Sequence, residues 1–298
     1  MVLLVTGAWK CLDEQLNSLR GLGHEIVFMQ NEKDELPCAY ERVEGVIGNG
    51  LFLYHDIRKF SSLTYIQLTS AGLDRVPLDY IQEKGIVLRN AKGVYSVPMA
   101  EFALCAVLQL YKQSRFFTEK QKSHTWEKHR GVLELFGKTV CVVGCGSVGT
   151  ECAKRFAAFG CQVLGVDLYP REDRAYTEMV GLDGLDKQLA AADIVVLTLP
   201  LTAQTKGMMN AERFALMKQG SVLVNIARGG LVDEDALCVA LDNRLLGAAV
   251  DVFETEPLNS ESVLWEKENL IITPHNAFVG EGNNTRLWQV ILEGLQGV

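Results

Sequence analysis

Apolar residues along this chain fall into short unbroken runs, separated by longer stretches in which apolar positions recur every three or four residues. Unbroken runs fit strands buried on both faces of a parallel sheet, and the recurring positions fit helices laid on it. Residues 2–6, 25–29, 45–48, 63–68 and 86–88 read as strands, 13–20 as a helix stopped by Gly21, and 77–83 as a second helix. This alternation predicts a small parallel α/β unit. Residues 97–115 carry Ala, Leu, Phe and Val at helical spacing, which predicts one long buried helix crossing to a second unit. The polar stretch 116–130, with His124, Trp126 and His129, reads as a surface connector rather than a metal site.

In the second unit six strands, 138–143, 161–166, 193–199, 221–225, 246–250 and 270–273, are interleaved with helices at 150–159, 211–217 and 233–242. That order predicts a doubly wound parallel sheet. Residues 283–294 form a last amphipathic helix with Leu287, Trp288, Val290, Ile291 and Leu295 apolar. Following the final strand, it is expected to pack back on the first unit. The expected domains are therefore 1–94 completed by 280–298, and 95–279.

Composition narrows the function. The chain has 298 residues, 48% hydrophobic and 22% charged, enough for two domains. A formal charge of −8 without a Lys/Arg-rich run argues against nucleic acid as a partner. No apolar stretch approaches the ~18 residues of a membrane span, and residues 2–6 are too short and lack the basic start of a signal peptide. A cytoplasmic location is the expectation. The cysteines, Cys11, Cys38, Cys105, Cys141, Cys145, Cys152, Cys161 and Cys238, show no C-x-x-C pair and no zinc-like His spacing, so no metal is expected and the thiols read as reduced core residues. Cys145 stands apart because it lies near a helix N-terminus, a position that lowers a thiol's pKa.

Two constellations carry chemistry. The strand 138–143 runs into Gly144-Cys145-Gly146-Ser147-Val148-Gly149 and then a helix, an arrangement in which backbone N–H groups cradle a pyrophosphate. The next strand ends in Asp167, 18 residues after Gly149, close to the ~20 expected of a carboxylate that binds the adenosine ribose. That carboxylate favours NADH over NADPH, because a 2′-phosphate would meet like charge. The second constellation is Arg228, Glu256 and His275, each just beyond the end of an apolar run. Ligands collect at the carboxyl ends of parallel strands, so the three are expected to converge. A charged imidazole can protonate the alkoxide left by hydride transfer to a carbonyl, a neighbouring carboxylate favours that charged form, and arginine offers a planar fork to a carboxylate.

The residues Asn225-Ile-Ala-Arg228-Gly-Gly-Leu-Val-Asp-Glu-Asp-Ala-Leu, Asp251-Val-Phe-Glu-Thr-Glu256-Pro257-Leu and Thr273-Pro-His275 resemble the signatures of the D-isomer-specific 2-hydroxyacid dehydrogenases. The glycine loop, Thr198-Leu-Pro200-Leu-Thr-Ala-Gln-Thr205 and Ser70-Ala-Gly-Leu-Asp74 resemble them too, and the likeness covers nearly the whole chain. It implies two flavodoxin-like, Rossmann-type domains with doubly wound parallel sheets, an active site in the interdomain cleft, NAD as cofactor, a small 2-keto or 2-hydroxy acid as substrate, and a homodimer formed through the nucleotide domain. It further implies His275 as acid/base, Glu256 rather than Glu254 as its partner because it precedes Pro257, and Arg228 as anchor of the substrate carboxylate. Gly144, Gly146, Ser147, Val148, Gly149, Asp167, Leu199, Pro200, Thr205, Ile226, Ala227, Arg228, Asp251 and His275 would line the cofactor, Asp251 near the nicotinamide amide. Ser70, Ala71 and Gly72 would offer backbone donors to the substrate. The alternative carried by the same likeness is an NAD(H)-sensing, corepressor-like binding protein.

The chain departs from the family in two places. Asn276 and Phe278 stand where small or aliphatic residues are usual after the Pro-His pair, which bears on the substrate's side chain. Gly48-Asn49-Gly50 lacks the Arg that phosphoglycerate dehydrogenases place there, so phosphoglycerate is disfavoured as substrate.

Overall fold

In a computed structural model the described residues are 1–297, and they divide into two compact units, 1–95 with 280–297, and 96–279. Val298, the last residue of the expected 280–298 segment, lies outside the described residues.

The first unit is a five-stranded parallel sheet of β1 (Val2–Thr6), β2 (Glu25–Met29), β3 (Gly45–Gly48), β4 (Tyr65–Leu68) and β5 (Val87–Arg89), in the order β2-β1-β3-β4-β5. Alternating side chains of the central strands feed two cores. Leu4, Val46 and Ile66 join Phe60, Leu63 and Ile81, the last from helix α2 (Leu78–Lys84). On the other face Leu3, Val5, Ile47 and Tyr65 pack with Trp9, with Leu19 of α1 (Asp13–Gly21), and with Leu287, Ile291 and Leu295 of the helix Asn283–Gln296. Burying each of these last three is worth about 1.5–3 kcal/mol. Trp9 stacks on Trp288 at 5.7 Å and donates its indole N–H to Asn284 at 3.1 Å, fixing that helix to the turn after β1.

The second unit begins with α3 (Ser96–Tyr111) and α4 (Ser114–Lys122). Its core follows as β6 (Thr139–Val143), α5 (Ser147–Ala158), β7 (Gln162–Val166), β8 (Glu178–Val180), α6 (Leu185–Ala191), β9 (Ile194–Leu197), α7 (Ala211–Leu216), β10 (Val222–Asn225), α8 (Glu234–Asn243), β11 (Gly247–Val250) and β12 (Leu270–Ile272). All strand pairs are parallel, in the order β12-β11-β10-β9-β6-β7-β8. The topology reverses at β6/β9, where a doubly wound sheet opens its ligand crevice. The sheet thus has seven strands where the sequence suggested six, the extra one being the short edge strand β8. The helix expected over 97–115 stops at Tyr111, because Gln113 takes a left-handed backbone (φ 54°), and α4 occupies part of the expected connector with no buried residue. Among the described residues no helix is long and apolar enough to cross a membrane, and no group of three metal-capable side chains occurs.

Candidate active site

The site is built where the parallel strands of the second unit end. At β6 the chain turns at Gly144 (φ 101°), where a Cβ would lie 2.5 Å from the Leu199 nitrogen, and at Gly149 a Cβ would lie 2.0 Å from the Gly144 carbonyl. Only glycine permits both approaches. The Thr198 hydroxyl donates to the same carbonyl at 2.5 Å and ties the loop to the end of β9. Gly146, by contrast, is exposed, and a Cβ there would meet nothing within 4 Å. The first-turn N–H groups of α5, at Ser147 and Val148, have no intrahelical acceptor and follow directly on that open position. Asp167, at the end of β7, accepts from the Cys145 N–H at 2.6 Å and the Tyr169 N–H at 3.0 Å, so its carboxylate is held against the loop. An open glycine, an unpaired helix start and a fixed carboxylate fit a dinucleotide.

Other residues expected around the cofactor are largely inside the protein. Leu199, Ile226 and Ala227 are buried, Pro200 is exposed, and Thr205 is fully buried, donating to the Pro200 carbonyl at 2.8 Å and accepting from the Thr202 N–H at 2.8 Å. The Cys145 thiol is also turned inward, packed below the loop towards the Val142 and Val166 carbonyls. Burial pushes it up to about 12, so the helix start does not lower it.

The second constellation leaves the sheet from three adjacent strands in register, with Asn225 opposite Val250 and Val250 opposite Ile272. The turn 226–228 is pinned by Asn225, whose fully buried amide accepts from the Ala227 N–H at 3.1 Å and donates to the Arg228 carbonyl at 3.0 Å. At Gly229 a Cβ would fall 1.8 Å from the Phe253 carbonyl carbon, so the turn carrying Arg228 lies against the loop leading to Glu256. The Arg228 guanidinium donates to the Ala227 carbonyl at 2.7 Å.

His275 has a left-handed backbone (φ 52°), unusual for a residue with a Cβ. Its N–H donates to the Asp251 carbonyl at 2.7 Å. The Asp251 carboxylate, 1% exposed, accepts from the Thr273 hydroxyl at 2.5 Å, the Asn276 N–H at 2.7 Å and the Ala277 N–H at 2.9 Å. That residue therefore holds the turn around His275 from both its backbone and its side chain. The imidazole Nδ1 meets Glu256 Oε2 at 2.8 Å, and Glu256 Oε1 accepts from the Phe253 N–H at 3.1 Å. A carboxylate only accepts, so Nδ1 is the donor and Nε2 faces away. Phe278 sets its ring edge-to-face with the imidazole at 6.1 Å. The Glu254 backbone N–H donates to the Glu234 carboxylate at 2.9 Å. Asn225 and Thr273 carry positioning roles that the sequence reading did not assign. A polar residue closing an apolar strand was the available signal.

In the first unit, Ser70, Ala71 and Gly72 follow β4. The loop is fixed by Asn90 donating to the Ala71 carbonyl at 2.7 Å, by the Ala91 N–H donating to the Ser70 carbonyl at 2.9 Å, and by the Tyr95 hydroxyl donating to the Thr69 carbonyl.

Comparison with known proteins follows the same lines. Residues 104–277 match the D-isomer specific 2-hydroxyacid dehydrogenase, NAD binding domain. The chain is 34% identical over 243 residues to an (S)-sulfolactate dehydrogenase of Chromohalobacter salexigens, covering 80% of this chain and 79% of that one. It is 33% identical over 257 residues to a D-3-phosphoglycerate dehydrogenase of Methanocaldococcus jannaschii, covering 85% and 49%. Among solved structures, a D-lactate dehydrogenase of Aquifex aeolicus complexed with NAD and lactic acid superposes with a TM-score of 0.80 at 28% identity, covering 99% of this chain and 94% of that one. This chain belongs to the D-isomer specific 2-hydroxyacid dehydrogenase family and carries its NAD binding domain. It spans about a third to a half of the length of the first phosphoglycerate dehydrogenases it matches.

Proposed function

We propose that this protein is an NAD-dependent dehydrogenase interconverting a small 2-keto acid and the corresponding D-2-hydroxy acid. The observation that carries the reading is the Glu256–His275 pair, 2.8 Å apart, with His275 on a turn locked by Asp251 and the pair following the two strands beside the one that ends in the Arg228 turn. NADH, when bound, supplies the hydride. The residues that would hold it are Gly146, Ser147 and Val148 through their N–H groups, and Asp167 at the adenosine ribose.

Arg228 receives the substrate carboxylate as a fork and polarises the keto oxygen. His275 Nε2 delivers a proton to that oxygen as negative charge develops on it, so reduction requires the doubly protonated ring. In the reverse direction the neutral ring takes the hydroxyl proton. Glu256 keeps Nδ1 as the donor, orients the ring and offsets its charge. The backbone of Ser70, Ala71 and Gly72 is the proposed second set of carboxylate donors. We infer self-association through the second unit, supported by Trp126 and Phe136, 98% and 80% exposed between α4 and β6. The free state of the cysteines supports a reducing compartment such as the cytoplasm.

A scan of small 2-keto acids with NADH, following loss of NADH absorbance, tests the reading. Turnover of at least one is expected, with His275→Ala nearly inactive yet still binding NADH. NADH binding without turnover of any 2-keto acid would favour the corepressor-like alternative, in which Glu256 and His275 have no use.

A further inference from the structure

In the first unit the strand order β2-β1-β3-β4-β5 reverses between β1 and β3, so the crevice beyond their carboxyl ends is where a sheet of this kind takes a ligand. In this protein the crevice is filled from within. Glu32, on the loop after β2, lays its carboxylate across the ends of both strands. Oε1 accepts from the Thr6 hydroxyl at 2.7 Å and the Asn49 N–H at 2.7 Å, and Oε2 accepts from the Gly50 N–H at 2.7 Å. Consecutive N–H groups turned inward are an anion cradle. The wall is shaped to its occupant, since a Cβ at Gly48 would lie 2.8 Å from Glu32 Oε1.

The residue is also held from behind. His55, buried, places Nε2 at 3.0 Å from the Glu32 carbonyl, and because a carbonyl only accepts, Nε2 is the donor. Its Nδ1 meets the Tyr40 hydroxyl at 3.0 Å, and Tyr40 packs edge-to-face on Phe60 of the core at 4.9 Å. The Asn49 Oδ1 is buried without a hydrogen-bond partner among the described residues. The crevice therefore presents a carboxylate, with the neighbouring O–H and N–H donors already taken by it.

We propose that Glu32 is a specificity-determining residue that plugs an anion site, so that this protein takes 2-keto acids whose only anionic group is the carboxylate and rejects those with a phosphate or sulfonate on the side chain. The link to substrate rests on the proposed function, in which the backbone of residues 70–72 receives the substrate. That loop is the neighbour of the plug, because the Thr69 N–H donates to the Gly48 carbonyl at 2.8 Å. A second anion placed there would meet like charge in a half-buried wall, whereas a neutral or hydroxyl-bearing side chain would not.

Two measurements on the full chain test this. The first needs no turnover: at matched ionic strength, the melting temperature of Glu32→Ala should rise with millimolar inorganic phosphate relative to chloride, while that of the parent should not, because removing the plug opens the cradle. The second compares kcat/KM with NADH for 3-phosphohydroxypyruvate and for hydroxypyruvate. The ratio of the first to the second should be low in the parent and rise roughly tenfold or more in Glu32→Ala, with Glu32→Gln, which removes charge but keeps bulk, in between. An identical phosphate response in parent and variant, or a ratio unchanged within twofold, overturns the proposal. If no 2-keto acid is reduced by parent or variant but phosphate stabilises Glu32→Ala, the plug stands and the proposed function fails instead.

Discussion

Replacing Asp251 by Asn tests whether one buried carboxylate holds the turn that carries His275. The side chain is 1% exposed and receives three donors, from Thr273, Asn276 and Ala277. An amide can keep one oxygen facing Thr273 and Asn276, but its NH2 then faces the Ala277 N–H, and Ala277 is itself 3% exposed. Two donors pointing at each other leave both unsatisfied, at about 1–3 kcal/mol for each buried group. Weaker, uncharged bonds at the remaining oxygen add roughly 1 kcal/mol. The expected loss is about 3–7 kcal/mol from the second unit, and Asp251→Ala should lose at least as much. Because His275 sits on this turn with a positive φ, small displacements of its ring matter, and a shift of about 1 Å can cost roughly a hundredfold in turnover. Denaturant unfolding followed by circular dichroism reads the first effect, and single-substrate kinetics with NADH reads the second. The reasoning fails if Asp251→Asn keeps its midpoint and its turnover within about threefold. A variant of unchanged stability that binds NADH poorly would assign the carboxylate to the nicotinamide, as the family resemblance suggested.

Glycines of the cofactor loop should separate folding from binding: Gly149→Ala, whose methyl meets the Gly144 carbonyl at 2.0 Å, should lower stability by about 1–3 kcal/mol. Gly146→Ala, with nothing within 4 Å, should melt like the parent yet bind NADH more weakly in a fluorescence titration, and equal melting of the two would refute this. Burial pushes Cys141, Cys145 and Cys152 up to about 12, so at pH 8 they stay protonated and shielded while the exposed Cys105 is alkylated first. Peptide mapping after iodoacetamide should show that order, and early labelling of Cys145 would contradict it. Asp167→Ala should narrow a preference for NADH over NADPH by removing the charge that a 2′-phosphate would meet, and equal kcat/KM for both cofactors in the parent would defeat the claim.

Apolar runs marked the central strands well, because each is buried on both faces and tolerates little else. The edge strand β8 escaped notice: Glu178–Val180 is three residues long, follows a polar stretch and has one neighbour. The break after α3 carries no Gly or Pro. It depends on Gln113 accepting a left-handed backbone, which apolar spacing cannot announce. Helix α6, only seven residues long, was similarly silent. The pairing of Glu256 with His275 was legible because each follows its strand within a few residues and a carboxylate suits an imidazole. The residues that hold them were not. Asn225, Thr273 and Asp251 act across strands, and Glu32 acts across the ends of β1 and β3, so their roles depend on register that single-chain periodicity does not encode.

The helix Asn283–Gln296 fills one face of a sheet whose strands all lie within the first ninety residues. During synthesis those strands leave the ribosome without their covering helix, and Leu3, Val5 and Ile47 keep an open apolar face until the whole of residues 96–279 has followed. The later unit is contiguous, with its own glycine loop and core, and can close while the earlier one is still waiting. Vectorial production thus reverses the usual order, completing the nucleotide-type unit first and leaving the earlier sheet as the one whose apolar face stays open longest.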